Sequence, residues 1–222
     1  MLNKEIISAS IPSLSPNDPV YQALDLMADF HVTNLAVVAG DKLIGLISEN
    51  DLLNVVDEAM VLSQLETLFS KTAVHANSHF IEAVQRVNEF NLTVIPVIDK
   101  DDEYLGSISA TDLLQQLGKL TGITEPGGII VLEMEQINFS FSELSKLVET
   151  NDAQITQLNS YNDPLSKNFY VTIKINKFEI ADIIATFQRY DYHVKYSFGE
   201  ELYENDLKSN YDHLMNYLNI LF

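Results

Sequence analysis

PVYQALDLMADFHVTNL, residues Pro19 to Leu35, aligns without a gap on HFIEAVQRVNEFNLTVI, residues His79 to Ile95, sixty positions later. The match resumes at Gly45 to Leu53, GLISENDLL, against Gly106 to Leu114, GSISATDLL, with one residue inserted between the blocks. A period of about sixty residues seen twice indicates a tandem module, because a solenoid needs three or more units to bury its core. Two half-domains that each bury little alone are expected to pack face to face, with paired clefts at their junction. That arrangement points to binding rather than to catalysis.

Each repeat reads as helix, strand, strand, helix. Ser15-Pro16-Asn17-Asp18-Pro19 supplies cap residues and a proline at a helix start. Val20, Ala23, Leu24 and Met27 then share one helical face. Asn34 leads into a strand over Leu35 to Val38, Gly40-Asp41 is a hairpin turn, and Leu43 to Ile47 is the return strand. Asp51-Leu52-Leu53 opens a second helix. The second repeat copies this with Ile81, Val84 and Val87 on a helix, a strand at Ile95 to Ile98, a turn at Lys100 to Glu103 and a strand at Tyr104 to Ile108. Ala23 and Ala83 hold matching positions, where small side chains would let the two helices approach closely. Between the repeats, Leu62, Leu65 and Phe69 fall at helical spacing.

Gly118 to Gly128 contains Gly122, Pro126 and Gly127 and is expected to be a linker. Beyond it the order becomes strand, helix, strand, strand, helix, strand, which is ferredoxin-like. The strands are Ile129 to Glu135, Ala153 to Ser160, Phe169 to Ile175 and Tyr192 to Phe198. The helices are Leu144 to Glu149, behind capping-box spacing at Ser140 to Glu143, and Phe178 to Tyr190. The tail, Glu200 to Phe222, spaces Leu207, Tyr211, Leu214, Met215 and Leu218 as an amphipathic helix. The expected domains are therefore 1–58 and 59–120 for the repeats, 127–199 for the ferredoxin-like part, and 200–222 for the tail. The fold class is α+β.

Composition narrows the function. The net charge of −19 divides as 18 acidic residues against 6 basic up to residue 126, and 14 against 7 beyond it. Nucleic-acid binding needs a basic footprint, which neither part has. An anionic membrane surface is disfavoured on the same ground. The absence of cysteine excludes disulfides, thiolate metal sites and cysteine nucleophiles. No apolar run reaches the 18 residues of a membrane span and the N-terminus lacks a signal-peptide core, so a cytoplasmic protein is expected.

The repeats resemble cystathionine-β-synthase (CBS) domains, which occur in tandem as a pseudo-twofold Bateman module. The shared signature is glycine, two apolar-type positions, Ser or Thr, two variable positions and Asp, placed between a strand and a helix. It stands as Gly45-Leu46-Ile47-Ser48-Glu49-Asn50-Asp51 and again as Gly106-Ser107-Ile108-Ser109-Ala110-Thr111-Asp112. Ile95-Pro96-Val97-Ile98 adds the family's proline-bearing strand, where the first repeat has Ala36 instead. The resemblance implies an adenosine-type ligand such as AMP, with Asp51 and Asp112 accepting from ribose hydroxyls and Ser48 and Ser109 beside them. It also implies that Leu35 and Ile95 sandwich the adenine. Both aspartates suit helix capping as well, and the two roles are compatible. Phosphate-binding members place a basic residue between the Ser/Thr and the Asp, whereas this chain has Glu49-Asn50 and Ala110-Thr111. Glu49 would repel a nearby phosphate by on the order of 1 kcal/mol. The second motif, being neutral, is the better candidate for a ligand.

The C-terminal part resembles an ACT domain in its element order, with Gln136 to Ser140 in place of that family's Pro-Gly turn. A CBS pair followed by such a domain is similar to bacterial acetoin-utilisation-type CBS proteins. His75 and His79 have metal-ligand spacing but precede the helix and lack a third ligand, so they read as polar loop residues and no metal or cofactor is expected. No nucleophile elbow or glycine-rich phosphate loop is visible, and an enzyme is not expected. The sequence thus supports a regulatory or sensor module that binds an adenosine-type ligand, and a homodimer. The alternative is an interaction module with empty clefts.

Overall fold

This computed structural model describes residues 1–199 of the 222. The tail expected to form an amphipathic helix lies outside the described residues. The chain divides into two units, Met1–Leu117 and Gly118–Phe222.

The first unit contains both repeats. In one, α1 (Val20–Asp29) leads to the hairpin β1 (Asn34–Ala39) and β2 (Lys42–Ser48), then to the short α2 (Glu49–Leu53). In the other, β3 (Val74–His75) and α3 (Phe80–Phe90) precede the hairpin β4 (Val94–Ile98) and β5 (Tyr104–Ser109), and α4 (Ala110–Leu120) follows. The internal alignment is reproduced down to the helix stops. His31 and Asn91 both take left-handed φ, at 53° and 51°. Behind them Val32 and Leu92 each donate an N–H five residues back, to Met27 and Val87 at 2.9 Å. This closure satisfies the orphan carbonyls of a helix end.

Each repeat has its own core. Val20, Ala23, Met27, Leu35, Val37, Ile47 and Leu52 pack in the first, and Val74, Phe80, Ala83, Ile95, Val97, Ile108 and Leu113 in the second. Ala23 and Ala83 are fully buried, each within its own repeat's core. Their small size fits each helix closely into its own repeat's core.

Two segments cross over. Residues 2–8 pack on the second repeat, with Asn3 and Lys4 donating backbone N–H bonds to Ser78 and Ala76 at 3.0 Å and Ile6 inside its core. Residues 60–70 complete the first, where Leu62 and Phe69 are buried and Leu62 N–H reaches the Asp18 carbonyl at 3.0 Å. The helical spacing seen in this stretch forms a 3₁₀ helix, Leu62–Leu68. Such turns are short because their hydrogen-bond geometry is poorer.

The repeats meet at a polar seam where β1 and β4 begin. Asn34, only 2% exposed, donates through Nδ2 to the Val94 carbonyl at 2.6 Å. Its Oδ1 accepts from Thr93 N–H at 2.8 Å and Thr93 Oγ1 at 2.9 Å. Thr33 N–H donates to Thr93 Oγ1 at 2.8 Å. Thr33 matches Thr93 in the repeat alignment, but Asn34 matches Val94, so the seam is not symmetric.

Helix α4 runs two residues beyond Gly118, into the stretch expected to be linker, and stops on Gly122 at φ 56°. Ile123 N–H to Gly118 O at 3.1 Å and Gly122 N–H to Lys119 O at 3.2 Å form a Schellman closure. The second unit then follows β-α-β-β-α-β order with β6 (Ile129–Met134), α5 (Phe141–Glu149), β7 (Ile155–Asn162), β8 (Phe169–Ile175), α6 (Ala181–Arg189) and β9 (His193–Phe198). Its sheet is antiparallel throughout in the order β7-β8-β6-β9. Leu144, Leu147, Val148, Ile183 and Phe187 from the helices pack on Ile130, Leu132, Val171, Ile173 and Ile175.

Candidate functional site

Both signature motifs sit at a strand end turning into a helix. Ser48 closes β2 and is the N-cap of α2. Its Oγ accepts from Asp51 N–H at 3.2 Å and donates to Asp51 Oδ2 at 2.5 Å. In the second repeat Ser109 Oγ accepts from Asp112 N–H at 3.0 Å and donates to Asp112 Oδ2 at 2.6 Å. The serine therefore caps the helix and the aspartate does not. Each carboxylate spends one oxygen on its serine, and its Oδ1 accepts no hydrogen bond from a described residue. Both aspartates are half-buried at the helix start. An ionised carboxylate has about four acceptor positions, so each keeps capacity for a ligand's hydroxyls.

The signature glycines have a steric role. A Cβ on Gly45 would lie 2.7 Å from Phe69 Cβ and 2.9 Å from the Ser70 carbonyl oxygen. A Cβ on Gly106, which has φ 142°, would collide with Ile7 Cγ2. The crossed-over segments thus act as straps laid over β2 and β5. Ser70 N–H bonds to the Leu46 carbonyl at 2.9 Å, and Ser8 N–H to the Ser107 carbonyl at 2.8 Å.

This brings Ser8 to the second motif, a neighbour that sequence reasoning missed. Ser8 Oγ accepts from Ser109 N–H at 2.9 Å and donates to Asp112 Oδ2. The corresponding Ser70 instead shares a hydrogen bond with Thr72 Oγ1 at 2.7 Å. The strap beside the first motif also carries Lys71, whose ammonium donates to the Ile44 carbonyl. The only signal for Ser8 and Lys71 in the sequence would have been their spacing ahead of each repeat's helix, which the alignment from Pro19 onward does not include.

Leu35 and Ile95 are placed differently from Ser48, Asp51, Ser109 and Asp112. Both are fully buried, Leu35 in the first core and Ile95 in the second. They pair with Ile47 and Ile108 across the hairpins, one position before each serine. At these positions they support the motif from beneath and expose no surface to a base. Among the described residues no group of three or more His, Asp or Glu side chains is arranged to hold a metal ion. His79 is the N-cap of α3, its Nδ1 accepting from Ile81 N–H at 3.4 Å. No helix among the described residues is long and apolar enough to cross a membrane.

The second unit has a cleft of about 540 Å³ where β6 leads to α5 and α6 leads to β9. Glu133, Glu135, Glu143 and Asp191 line it together with Tyr192 and His193. Desolvation, helped by a hydrogen bond to Glu143, pushes the Tyr192 phenol up to about 12.

Residues 4–58 and 70–119 match the CBS domain family. Over 109 residues the chain is 28% identical to inosine-5'-monophosphate dehydrogenase from Thermoplasma acidophilum, an overlap of 49% of this chain and 22% of that enzyme. The chain spans less than half the length of each curated relative compared. Among solved structures it is similar to a CBS domain pair/ACT domain protein from Thermotoga maritima, with TM-score 0.49 and 20% identity, over 54% of this chain and 98% of that one. CBSX2 in complex with AMP gives TM-score 0.45 and 19% identity over 54% of this chain and 97% of that protein. The segments 4–58 and 70–119 of this chain are a tandem pair of CBS domains.

Proposed function

We propose that the CBS pair binds an adenosine-type ligand such as AMP in the clefts at Ser48–Asp51 and Ser109–Asp112, and that the chain is a regulatory module and not an enzyme. The observation that carries this reading is the division of labour at each motif. The serine satisfies the helix terminus, and the aspartate is left half-buried with one oxygen free of described partners. A half-buried carboxylate with an idle acceptor, held still by its neighbour, suits the paired hydroxyls of a ribose. Glu49 and the net charge of −19 argue against a polyphosphate tail. Leu35 and Ile95 contribute as the packed floor of each motif.

The C-terminal unit we read as ACT-like, on its β-α-β-β-α-β order and the sheet order β7-β8-β6-β9. Its acidic cleft disfavours the carboxylate of an amino acid. A homodimer belongs to the same reading, and light scattering at micromolar concentration should give twice the chain mass of 25.0 kDa.

Titration calorimetry tests the ligand. Adenosine or AMP should bind more tightly than ATP, and Asp112→Ala should weaken binding more than Asp51→Ala does. ATP as the tightest ligand, or indifference to Asp112→Ala, would overturn the assignment.

A further inference from the structure

The seam between the repeats touches both motifs. Glu49, the first residue of α2, donates its N–H to the Thr33 carbonyl at 2.8 Å, and Ala110, the first residue of α4, donates to the Thr93 carbonyl at 2.8 Å. Each threonine therefore holds the start of one motif helix. The two are tied to one another by Thr33 N–H on Thr93 Oγ1 at 2.8 Å, and Asn34 Oδ1 accepts both donors of Thr93 at 2.8 and 2.9 Å. In the hairpin ladders Asn34 pairs with Ser48, and Val94 pairs with Ser109. A hydrogen-bonded route thus runs from Asp51 and Ser48 through Glu49, Thr33, Thr93 and Ala110 to Ser109 and Asp112.

We propose that this seam couples the two clefts: a ligand held at one aspartate orders Thr33, Asn34 and Thr93 and thereby tightens binding at the other. The proposal rests on the binding reading above. A ligand on Asp51 fixes the Ser48–Glu49 turn and hence the Thr33 carbonyl. Because Thr33 N–H is anchored on the Thr93 hydroxyl, Thr93 is ordered with it, and so is the carbonyl that holds α4. The second ligand then loses less conformational freedom on binding, which is positive cooperativity. For binding equilibria the coupling factor is the same in both directions. Thr93 is the hub, since its hydroxyl accepts from Thr33 N–H and donates to Asn34 Oδ1 and so links both residues of the first repeat. Thr33 contributes its backbone, and its own hydroxyl is only 3.3 Å from that of Thr93 and exposed.

Two measurements on the full chain test this. In calorimetry with adenosine, Asp51→Ala should weaken the remaining cleft by about fivefold or more. In a Thr93→Val background the same Asp51→Ala change should leave that cleft's affinity unaltered, while Thr33→Val should preserve the coupling. The second measurement needs no ligand. Amide hydrogen exchange at Ala110 should accelerate by about threefold or more on Asp51→Ala when Thr93 is present, and not in Thr93→Val. No binding of adenosine, together with Ala110 exchange that responds to Asp51→Ala, would sink the ligand assignment and leave the seam's coupling standing. Independent binding at two clefts, or Ala110 exchange indifferent to Asp51→Ala, would overturn the coupling.

Discussion

Asn34 illustrates what a single side chain contributes across a repeat junction. It is buried, and its amide oxygen accepts Thr93 N–H, Thr93 Oγ1 and, at 3.3 Å, Val94 N–H. Removing that oxygen leaves the donors of a neighbouring strand without partners. Asn34→Ala should therefore lower unfolding free energy by about 2–3 kcal/mol in urea titrations, whereas Thr33→Val should change it by less than about 0.5 kcal/mol. Equal effects from both would mean that water replaces the amide. In the sequence Asn34 reads only as a residue leading into a strand, because its partners lie some sixty positions away and its repeat equivalent is the apolar Val94. Ser48, Asp51, Ser109 and Asp112 were legible because each motif is local. Tyr192 makes a different prediction. Its folded pKa of about 12, set by burial and Glu143, exceeds the ordinary value near 10. The folded state thus holds this proton more tightly, and the stabilisation is complete below pH 10 and lost as pH rises towards 12. The stability of wild type relative to Tyr192→Phe should be constant from pH 8 to about 10 and fall as pH rises towards 12. A gap constant from pH 8 to 12 would contradict the assigned cause.

At the scale of elements, the helices and hairpins follow from periodicity, and the straps do not. Val20, Ala23 and Met27 announced α1, and Ile155 to Asn162 and His193 to Phe198 lie close to the expected strands. Ile7 and Phe69 carry no periodic pattern that says which sheet they cross, yet both lie on a motif glycine. Gly106→Ala meets two penalties, a φ of 142° that L-residues rarely adopt and a collision with Ile7. It should cost about 2 kcal/mol or more in thermal or urea unfolding. Shortening the strap with Ile7→Ala should recover part of that loss, because residues in contact are not additive. A double variant no more stable than the additive sum would show that the strap is not what the glycine accommodates. Ala23→Leu and Ala83→Leu should each cost about 1–3 kcal/mol by overpacking their own repeat's core. Unchanged melting temperatures in both would contradict their burial.

Over the whole molecule the apolar side chains form separate cores. Two belong to the CBS pair, with Val94 of the second repeat packed in the core of the first, and the third lies entirely within residues 118–199. In the sequence this division reads as the breaker-rich stretch Gly118 to Gly128 and the change of pattern beyond it, although α4 runs to Leu120, inside that stretch. Every group assigned to the clefts, from Ser8 to Asp112, belongs to the first unit. A ligand that binds only the folded state stabilises what it binds by about 2.7 kcal/mol at a hundred times its dissociation constant. Saturating adenosine should then raise the calorimetric transition of the CBS pair and leave that of the C-terminal unit in place. Phe187→Ala, which empties the centre of the third core, should do the reverse, lowering the C-terminal transition by a loss of about 3–5 kcal/mol while adenosine affinity is retained. If both perturbations move one common transition, the units unfold as one, and a ligand signal in the clefts would reach the C-terminal unit as a change in its stability.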